Sequence, residues 1–280
     1  MRKFNFKQVD VFSRKALAGN PLAVVLDADG LDEATMAAFA RWTNLSETTF
    51  VLEPTDPRAD YRVRIFTTLT ELPFAGHPTL GSCHAWLENG GTPRGDEIVQ
   101  ECGIGLVRIR RDGSHLAFTA PPLVRSGPVD DALLDRLRAA LGLNGDSLVD
   151  ARWIDNGPGW LALRLTDRAS VLALKPDYSK LEGQVVGVFA PWDPNVDGDE
   201  AHFEVRAFVP GDGMPEDPVT GSLNAGIARW VLQEGLAPDS YIASQGTAMG
   251  RQGRVHVQRI GEDIWVGGET VTCVDGTVLL

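Results

Sequence analysis

Two stretches of this chain repeat each other in order, and a chain that carries its own duplicate is held to fold as two similar halves. Arg64-Ile65-Phe66 corresponds to Arg206-Ala207-Phe208, and each triplet runs through a glycine-containing turn into a Pro-x-x-Gly-Ser segment. Those segments are His77-Pro78-Thr79-Leu80-Gly81-Ser82 and Asp217-Pro218-Val219-Thr220-Gly221-Ser222. Further on, Cys102-Gly103 resembles Gln245-Gly246; earlier, Gly19-Asn20-Pro21 has a weaker partner in Asn156-Gly157-Pro158. Halves of this kind are expected to face each other across an internal two-fold axis, with equivalent loops at one cleft. A length of 280 residues suits two domains. Adjacent prolines deny ladder donors, so Pro121-Pro122 marks the boundary between halves 1–122 and 123–280, with the last strand free to return to the first half.

The local pattern is rich in strands. Phe6, Val9, Val11 and Phe12 alternate with polar neighbours, Gly19-Asn20-Pro21 turns the chain, and Leu22 to Leu26 forms a second strand. Asp32 caps a helix from Glu33 to about Trp42, whose apolar side carries Met36, Phe39 and Ala40. Thr48 to Leu52 and Tyr61 to Phe66 read as strands, so Glu47 sits where a loop delivers the chain into a sheet. A helix is expected from Pro78 to roughly Leu87, and a counterpart from Pro218 to Val231. Asp130 to Leu141 is a further helix, and the remaining apolar runs of the second half are strands. Many strands and one central-looking apolar helix per half make an α+β fold, not a series of strand-helix crossovers.

Several functions are disfavoured. With 26 basic and 38 acidic residues the formal charge is -12, which repels a long nucleic-acid backbone, and Arg108, Arg110 and Arg111 alternate with apolar residues as an exposed strand face does. No apolar stretch reads as a secretory signal or a membrane span, so a cytoplasmic location is expected. Cys83, Cys102 and Cys273 are odd in number and widely spaced, and the five histidines lack ligand spacing; neither a disulfide framework nor a metal is called for. Gly103-x-Gly105 falls short of a dinucleotide motif, and Gly211-Asp212-Gly213 lacks the lysine and Ser/Thr of a phosphate loop. Ser82 and Ser222 lack a nucleophile-elbow sequence.

The two Pro-containing segments carry the chemistry. Proline at the first helical position costs no hydrogen bond, and the next free N–H groups with the helix dipole can cradle a carboxylate or enolate oxygen, assisted by Ser82 in one half and Ser222 in the other. Asp217 reads equally as an ordinary cap, with Gly81 and Gly221 as packing glycines. His77 is a proton exchanger or a satisfied structural histidine. Glu47 is a solvated loop acid, or a proton carrier if an apolar site buries it.

The combination Gly19-Asn20-Pro21, Asn44-Leu45-Ser46-Glu47-Thr48, Phe74-Ala75-Gly76-His77-Pro78-Thr79-Leu80-Gly81, Glu216-Asp217-Pro218-Val219-Thr220-Gly221-Ser222 and Gln245-Gly246 before Gly250-Arg251 resembles the phenazine-biosynthesis PhzF-like family, related in fold to diaminopimelate epimerase and proline racemase. The resemblance spans nearly the whole chain. It implies a diaminopimelate epimerase-like fold of two mixed-sheet barrel-like domains, each wrapped around a central helix, and a homodimer as a common assembly. It implies Glu47, His77 and Asp217 as catalytic groups, and Asn20, Ser46, Gly76, Pro78, Gly221, Ser222, Gln245 and Gly246 around the substrate. No metal and no cofactor enter. The epimerase relatives use two cysteines; here the equivalent segments read Ala75-Gly76-His77 and Glu216-Asp217-Pro218. The expected activity is therefore a cofactor-independent isomerase relocating a proton on a small carboxylated, amino-acid-like or cyclic unsaturated metabolite. A noncysteine racemase or epimerase, or a noncatalytic ligand-binding protein, is the alternative.

Overall fold

The computed structural model describes residues 1–143, 145–211 and 215–280, so Asp212 and Gly213 lie outside the described residues. The chain forms two compact units, Met1–Thr119 with Gly267–Leu280, and Ala120–Val266.

The first unit contains β1 (Lys3–Val11), β2 (Asn20–Leu26), α1 (Glu33–Thr43), β3 (Thr48–Leu52), β4 (Tyr61–Phe66), β5 (Glu71–Leu72), α2 (Gly76–Glu88), β6 (Ile98–Cys102), β7 (Gly105–Asp112) and β8 (His115–Thr119). Its strands close a ring. β1 pairs antiparallel with β2, β2 parallel with β3, β3 antiparallel with β4, β4 parallel with β6, and β6, β7 and β8 follow as hairpins. The C-terminal strand (Asp263–Leu279) pairs with β8 and, from Thr270 to Leu279, with β1, so the ring has no free edge. The two parallel pairings each need a crossover, which α1 and α2 supply. They end in different places. α1 lies outside, where Met36, Phe39 and Ala40 pack on Phe4, Val25, Phe50, Leu52 and Phe66. α2 is buried on every side from Gly76 to Cys83 and touches β1, β2, β3, β4 and β8, as a helix threaded through a barrel must. A side chain at Gly81 would bring its Cβ to 2.6 Å from Leu22 Cδ2 and 3.0 Å from the Val9 and Val11 methyls, so any larger residue there must displace the core side chains of β1 and β2.

The second unit repeats this ring with β9 (Arg125–Pro128), α3 (Asp131–Leu141), β10 (Leu148–Asp155), β11 (Leu161–Leu165), α4 (Arg168–Ala173), β12 (Val186–Pro191), β13 (Phe203–Phe208), β14 (Glu216–Asp217), α5 (Gly221–Gln233), β15 (Ser240–Gln245) and β16 (Gly253–Ile260). β9–β10 and β10–β11 are antiparallel, β11–β12 parallel, β12–β13 antiparallel, β13–β15 parallel and β15–β16 antiparallel. β16 neighbours the start of the C-terminal strand, whose Ile264 carbonyl accepts from Ala120 N–H. α5 is the central helix: Leu223, Ile227 and Val231 are buried, and Gly226 packs where a Cβ would lie 2.5 Å from the Ile154 carbonyl. The expected α+β class, mixed-sheet barrels each around one helix, describes both units. Among the described residues no helix is long and apolar enough to cross a membrane.

The duplication is present, but its register differs from the expected one. β4 pairs with β5 through Ile65↔Leu72 and Phe66↔Glu71; β13 pairs with β14 through Ala207↔Asp217 and Phe208↔Glu216. Since Arg64-Ile65-Phe66 matches Arg206-Ala207-Phe208, Leu72 is the counterpart of Asp217 and Pro73 of Pro218. Counting on, Ala75 and Thr220 are the N-caps, Gly76 and Gly221 the first helical residues, and His77 and Ser222 the second. His77 and Asp217 are therefore not equivalents. Neither proline opens a helix: Pro78 is the third residue of α2, and Pro218 lies two residues before the N-cap of α5. The Pro-x-x-Gly-Ser match aligned Gly81, a mid-helix packing glycine, with Gly221, a helix start. Ser82 follows the same correction, being fully buried and donating to Thr49 Oγ1 at 2.8 Å instead of assisting the helix mouth.

Candidate active site

In the first unit the α2 mouth brings together three of the expected side chains, Asn20, Glu47 and His77, beside the expected Gly76 and Pro78 of the helix itself. Asn20 is the first residue of β2 and Val11, opposite it, the last of β1, so the amide side chain is fixed at the barrel rim. Asn44 ends α1 in the left-handed conformation at φ 56°, and that turn aims Glu47 inward just before β3. His77 is 4% exposed and Asn20 fully buried. Asn20 Nδ2 lies 3.3 Å from His77 Nδ1, and His77 Nε2 lies 3.4 Å from Glu47 Oε2.

The distance to Glu47 is that of an ion pair, yet burial pushes the His77 pKa down to about 3. The two statements conflict only if the ring is charged. Desolvation of an imidazolium outweighs a single contact that lacks hydrogen-bond alignment, so the ring is neutral at neutral pH. An amide nitrogen only donates, so with Asn20 Nδ2 facing the ring His77 Nδ1 accepts and the ring proton sits on Nε2, toward the carboxylate.

Backbone donors complete this mouth. The N-cap Ala75 supplies no side-chain cap, and Pro78 has no N–H, which leaves the N–H groups of Gly76 and His77 as the donors of the first turn. Ser46 Oγ is buried with no hydrogen-bond partner, one residue before Glu47. Behind the helix, Tyr61 donates to Gln100 at 2.9 Å and Gln100 to Thr79 at 3.0 Å, which holds α2 against β4 and β6. Thiol chemistry is not favoured here: burial raises the Cys102 pKa and pushes Cys83 up to about 12.

In the second unit the expected Asp217, Gly221, Ser222, Gln245 and Gly246 gather at the α5 mouth. Gln245, fully buried at the end of β15, is the clamp. Its Oε1 accepts from Thr220 N–H at 3.0 Å and Asn224 Nδ2 at 2.8 Å, while its Nε2 donates to the Asp217 carbonyl at 3.1 Å and Thr220 Oγ1 at 3.0 Å. Thr220 in turn donates its hydroxyl to Asp217 Oδ2 at 2.5 Å. Asp217 thus reaches the N-cap residue, although it is not the cap itself. Gly246 has φ +90°, and a Cβ there would lie 2.8 Å from the Pro218 carbonyl. Ser222 Oγ accepts from Trp160 Nε1 at 2.9 Å, and its carbonyl from Asn156 Nδ2 at 2.9 Å. Thr220, Asn224, Trp160 and Asn156, which brace this mouth through these hydrogen bonds, were not among the site residues expected from the sequence. Asn156-Gly157-Pro158 carried a usable signal, because it was already matched to the turn that presents Asn20.

This architecture agrees with what the chain resembles among known proteins. Residues 9–276 match the sequence model of the family described as phenazine biosynthesis-like protein. The chain is 38% identical to antisense-enhancing sequence 1 of Schizosaccharomyces pombe, over 99% of each chain. It is 34% identical to the trans-2,3-dihydro-3-hydroxyanthranilate isomerase of Pseudomonas aeruginosa, covering 95% of this chain and 92% of that one. The crystal structure of a PhzF-family phenazine biosynthesis protein from Enterococcus faecalis matches with a TM-score of 0.82 at 25% identity, over 100% of both chains.

Proposed function

The chain belongs to the phenazine biosynthesis-like protein family and is a PhzF-like isomerase, and we propose that it moves a proton between carbons of a small carboxylated, amino-acid-like or cyclic unsaturated metabolite, with Glu47 as the acid/base and no cofactor. The compound named for the Pseudomonas aeruginosa relative, a dihydro-hydroxyanthranilate, is of this class. What supports the reading most is the placement of the Glu47 carboxylate 3.4 Å from a neutral, buried His77 ring.

Glu47 takes a C–H proton adjacent to the substrate's unsaturation and becomes a carboxylic acid, while the electron pair of that bond delocalises through the double bond toward the carboxylate. The acid then returns the proton to a different carbon, the double bond has moved, and Glu47 is again a carboxylate. His77 Nε2–H and the N–H groups of Gly76 and His77 stabilise the oxygen on which negative charge develops. A neutral ring serves this better than a cation would, because a full positive charge beside the base would hold its electron pair. Asp217 and Ser222 are assigned, on the resemblance, to orient the substrate's amino or hydroxyl group and to hold its carboxylate.

The purified protein is incubated with trans-2,3-dihydro-3-hydroxyanthranilate in heavy water and followed by NMR. Double-bond migration with deuterium at one carbon is expected, and Glu47→Gln should slow turnover by about 10²–10⁴-fold with ligand affinity retained. Neither isomerisation nor exchange across a panel of dihydroaromatic amino acids that demonstrably bind would refute the proposal. Chiral analysis of the same reactions separates it from epimerisation.

A further inference from the structure

The second residue of each central helix receives a hydrogen bond from a buried donor at the start of a neighbouring strand of its own ring, β2 in the first unit and β11 in the second: Asn20 Nδ2 at His77 Nδ1, 3.3 Å, and Trp160 Nε1 at Ser222 Oγ, 2.9 Å. The donors differ in kind: the indole can only donate, whereas the carboxamide also carries an oxygen, and it is the nitrogen that faces the His77 ring. Asn20 is fully buried and Trp160 is 2% exposed, so neither exchanges its partner for water. An indole N–H has no acceptor capacity, and an amide nitrogen has none either.

We infer that Asn20 and Trp160 are positioning residues that fix the hydrogen-bond polarity of His77 and Ser222, so that each side chain offers a hydrogen to a ligand at its helix mouth and each mouth receives an acceptor oxygen of carboxylate or enolate type. Ser222 Oγ spends a lone pair on the indole, which leaves its hydroxyl hydrogen to point elsewhere. Its carbonyl is occupied by Asn156 Nδ2, which ties down the backbone that the hydroxyl swings on. His77 spends its one acceptor nitrogen on Asn20 and keeps Nε2–H. Without the two donors both groups are ambivalent: a neutral imidazole has two tautomers and a serine hydroxyl rotates freely. Each mouth already carries backbone N–H groups at the positive end of a helix, so an outward-facing acceptor would oppose the local field and an outward-facing hydrogen adds to it. Burial, which keeps His77 uncharged, makes the choice of tautomer consequential, since a doubly protonated ring would need no such control.

The inference rests on the proposed role of these mouths in binding an anionic substrate, but part of its test does not. Long-range ¹H–¹⁵N correlation spectra of the ¹⁵N-labelled chain at pH 7 report which His77 nitrogen carries hydrogen. The wild type should carry it on Nε2 alone, and Asn20→Asp, close in shape but an acceptor, should place a proton on Nδ1. In the same spectra Ser222→Ala should shift the Trp160 indole N–H resonance upfield. Trp160→Phe should weaken anthranilate binding, read by calorimetry, by about 10-fold, the scale of one hydrogen bond to a charged group, while binding of 2-aminobenzamide changes less than about 2-fold. A wild-type proton on Nδ1, an Asn20→Asp ring still bare at Nδ1, or equal losses for anthranilate and its amide would each overturn the inference. If the wild type binds no anthranilate, the functional proposal loses that support, and the tautomer and the indole resonance decide the polarity by themselves.

Discussion

Gly246 and Gly250 bracket a single 3₁₀ turn, Thr247–Met249, and replacing each by alanine separates two costs that a glycine can hide. Both have positive φ, +90° and +72°, so both alanines meet the left-handed penalty of about 1–2 kcal/mol, partly offset by about 0.4–1 kcal/mol from a stiffer unfolded chain. Gly250 has nothing within 4 Å of an added Cβ, and its cost ends there, near 1 kcal/mol. At Gly246 the Cβ would lie 2.8 Å from the Pro218 carbonyl and 2.7 Å from Arg251 Cβ, well inside ordinary contact. The carbonyl belongs to the segment that Gln245 clamps through the Asp217 carbonyl, so it cannot retreat without loosening the clamp. An overpacking cost of about 1–3 kcal/mol is therefore added, for a total near 2–4 kcal/mol. Urea unfolding followed by tryptophan fluorescence gives both losses, with activity read on the same preparations. Gly246→Ala should lose about 1–3 kcal/mol more than Gly250→Ala and should also lower kcat. Equal destabilisation of the two variants would refute the close-approach reasoning, because the backbone conformations alone are nearly the same.

Two further outcomes follow from buried charge. His77 has a folded pKa of about 3 against an ordinary 6.5, so the unfolded chain binds the proton more readily. The stability that a neutral buried ring contributes is complete above pH 6.5 and is lost as pH falls toward 3, by up to about 1.4 kcal/mol per pH unit. Urea midpoints for the wild type and His77→Gln should converge between pH 7 and pH 4, and a gap independent of pH would refute a neutral His77. Arg206 and its counterpart Arg64 give the second contrast. Arg206 is buried, paired twice with Glu216 at 2.8 Å, and donates to the Val171 and Leu174 carbonyls at 3.2 and 2.9 Å. Arg206→Met strands Glu216 and both carbonyls and should cost about 3–5 kcal/mol, whereas Arg64→Met, at a quarter-exposed arginine between Glu33 and Glu71, should cost about 1 kcal/mol or less in the same unfolding assay.

Much of the fold was legible because periodicity and punctuation report local structure directly. Asp32 caps α1 as expected and accepts from Thr35 N–H, and Thr48–Leu52 is a strand with those bounds. The matching Arg-x-Phe triplets located two rings that share one pairing order. The register of the helix starts was not legible, because Pro-x-x-Gly-Ser occurs at different helical positions in the two halves. Only the pairings of Glu71–Leu72 and Glu216–Asp217 fix where each helix begins, and strands of two residues leave no periodicity to read. The site was half legible. Asn20, Glu47 and His77 do meet at one helix mouth, but Ser82, an apparent twin of Ser222, is spent on Thr49 in the barrel interior. Trp160 is a buried ring with one N–H given to Ser222, a bond that composition cannot distinguish from packing.

The ring of the first unit is completed by residues that follow the entire second unit in the chain. During synthesis β1 and β8 therefore stand as open edges, with α2 already enclosed between them, until the stretch from Gly267 onward leaves the ribosome. The second unit, continuous from Ala120 to Val266, meets no such delay. The half that carries Glu47 and His77 is thus the last of the two to acquire a closed ring.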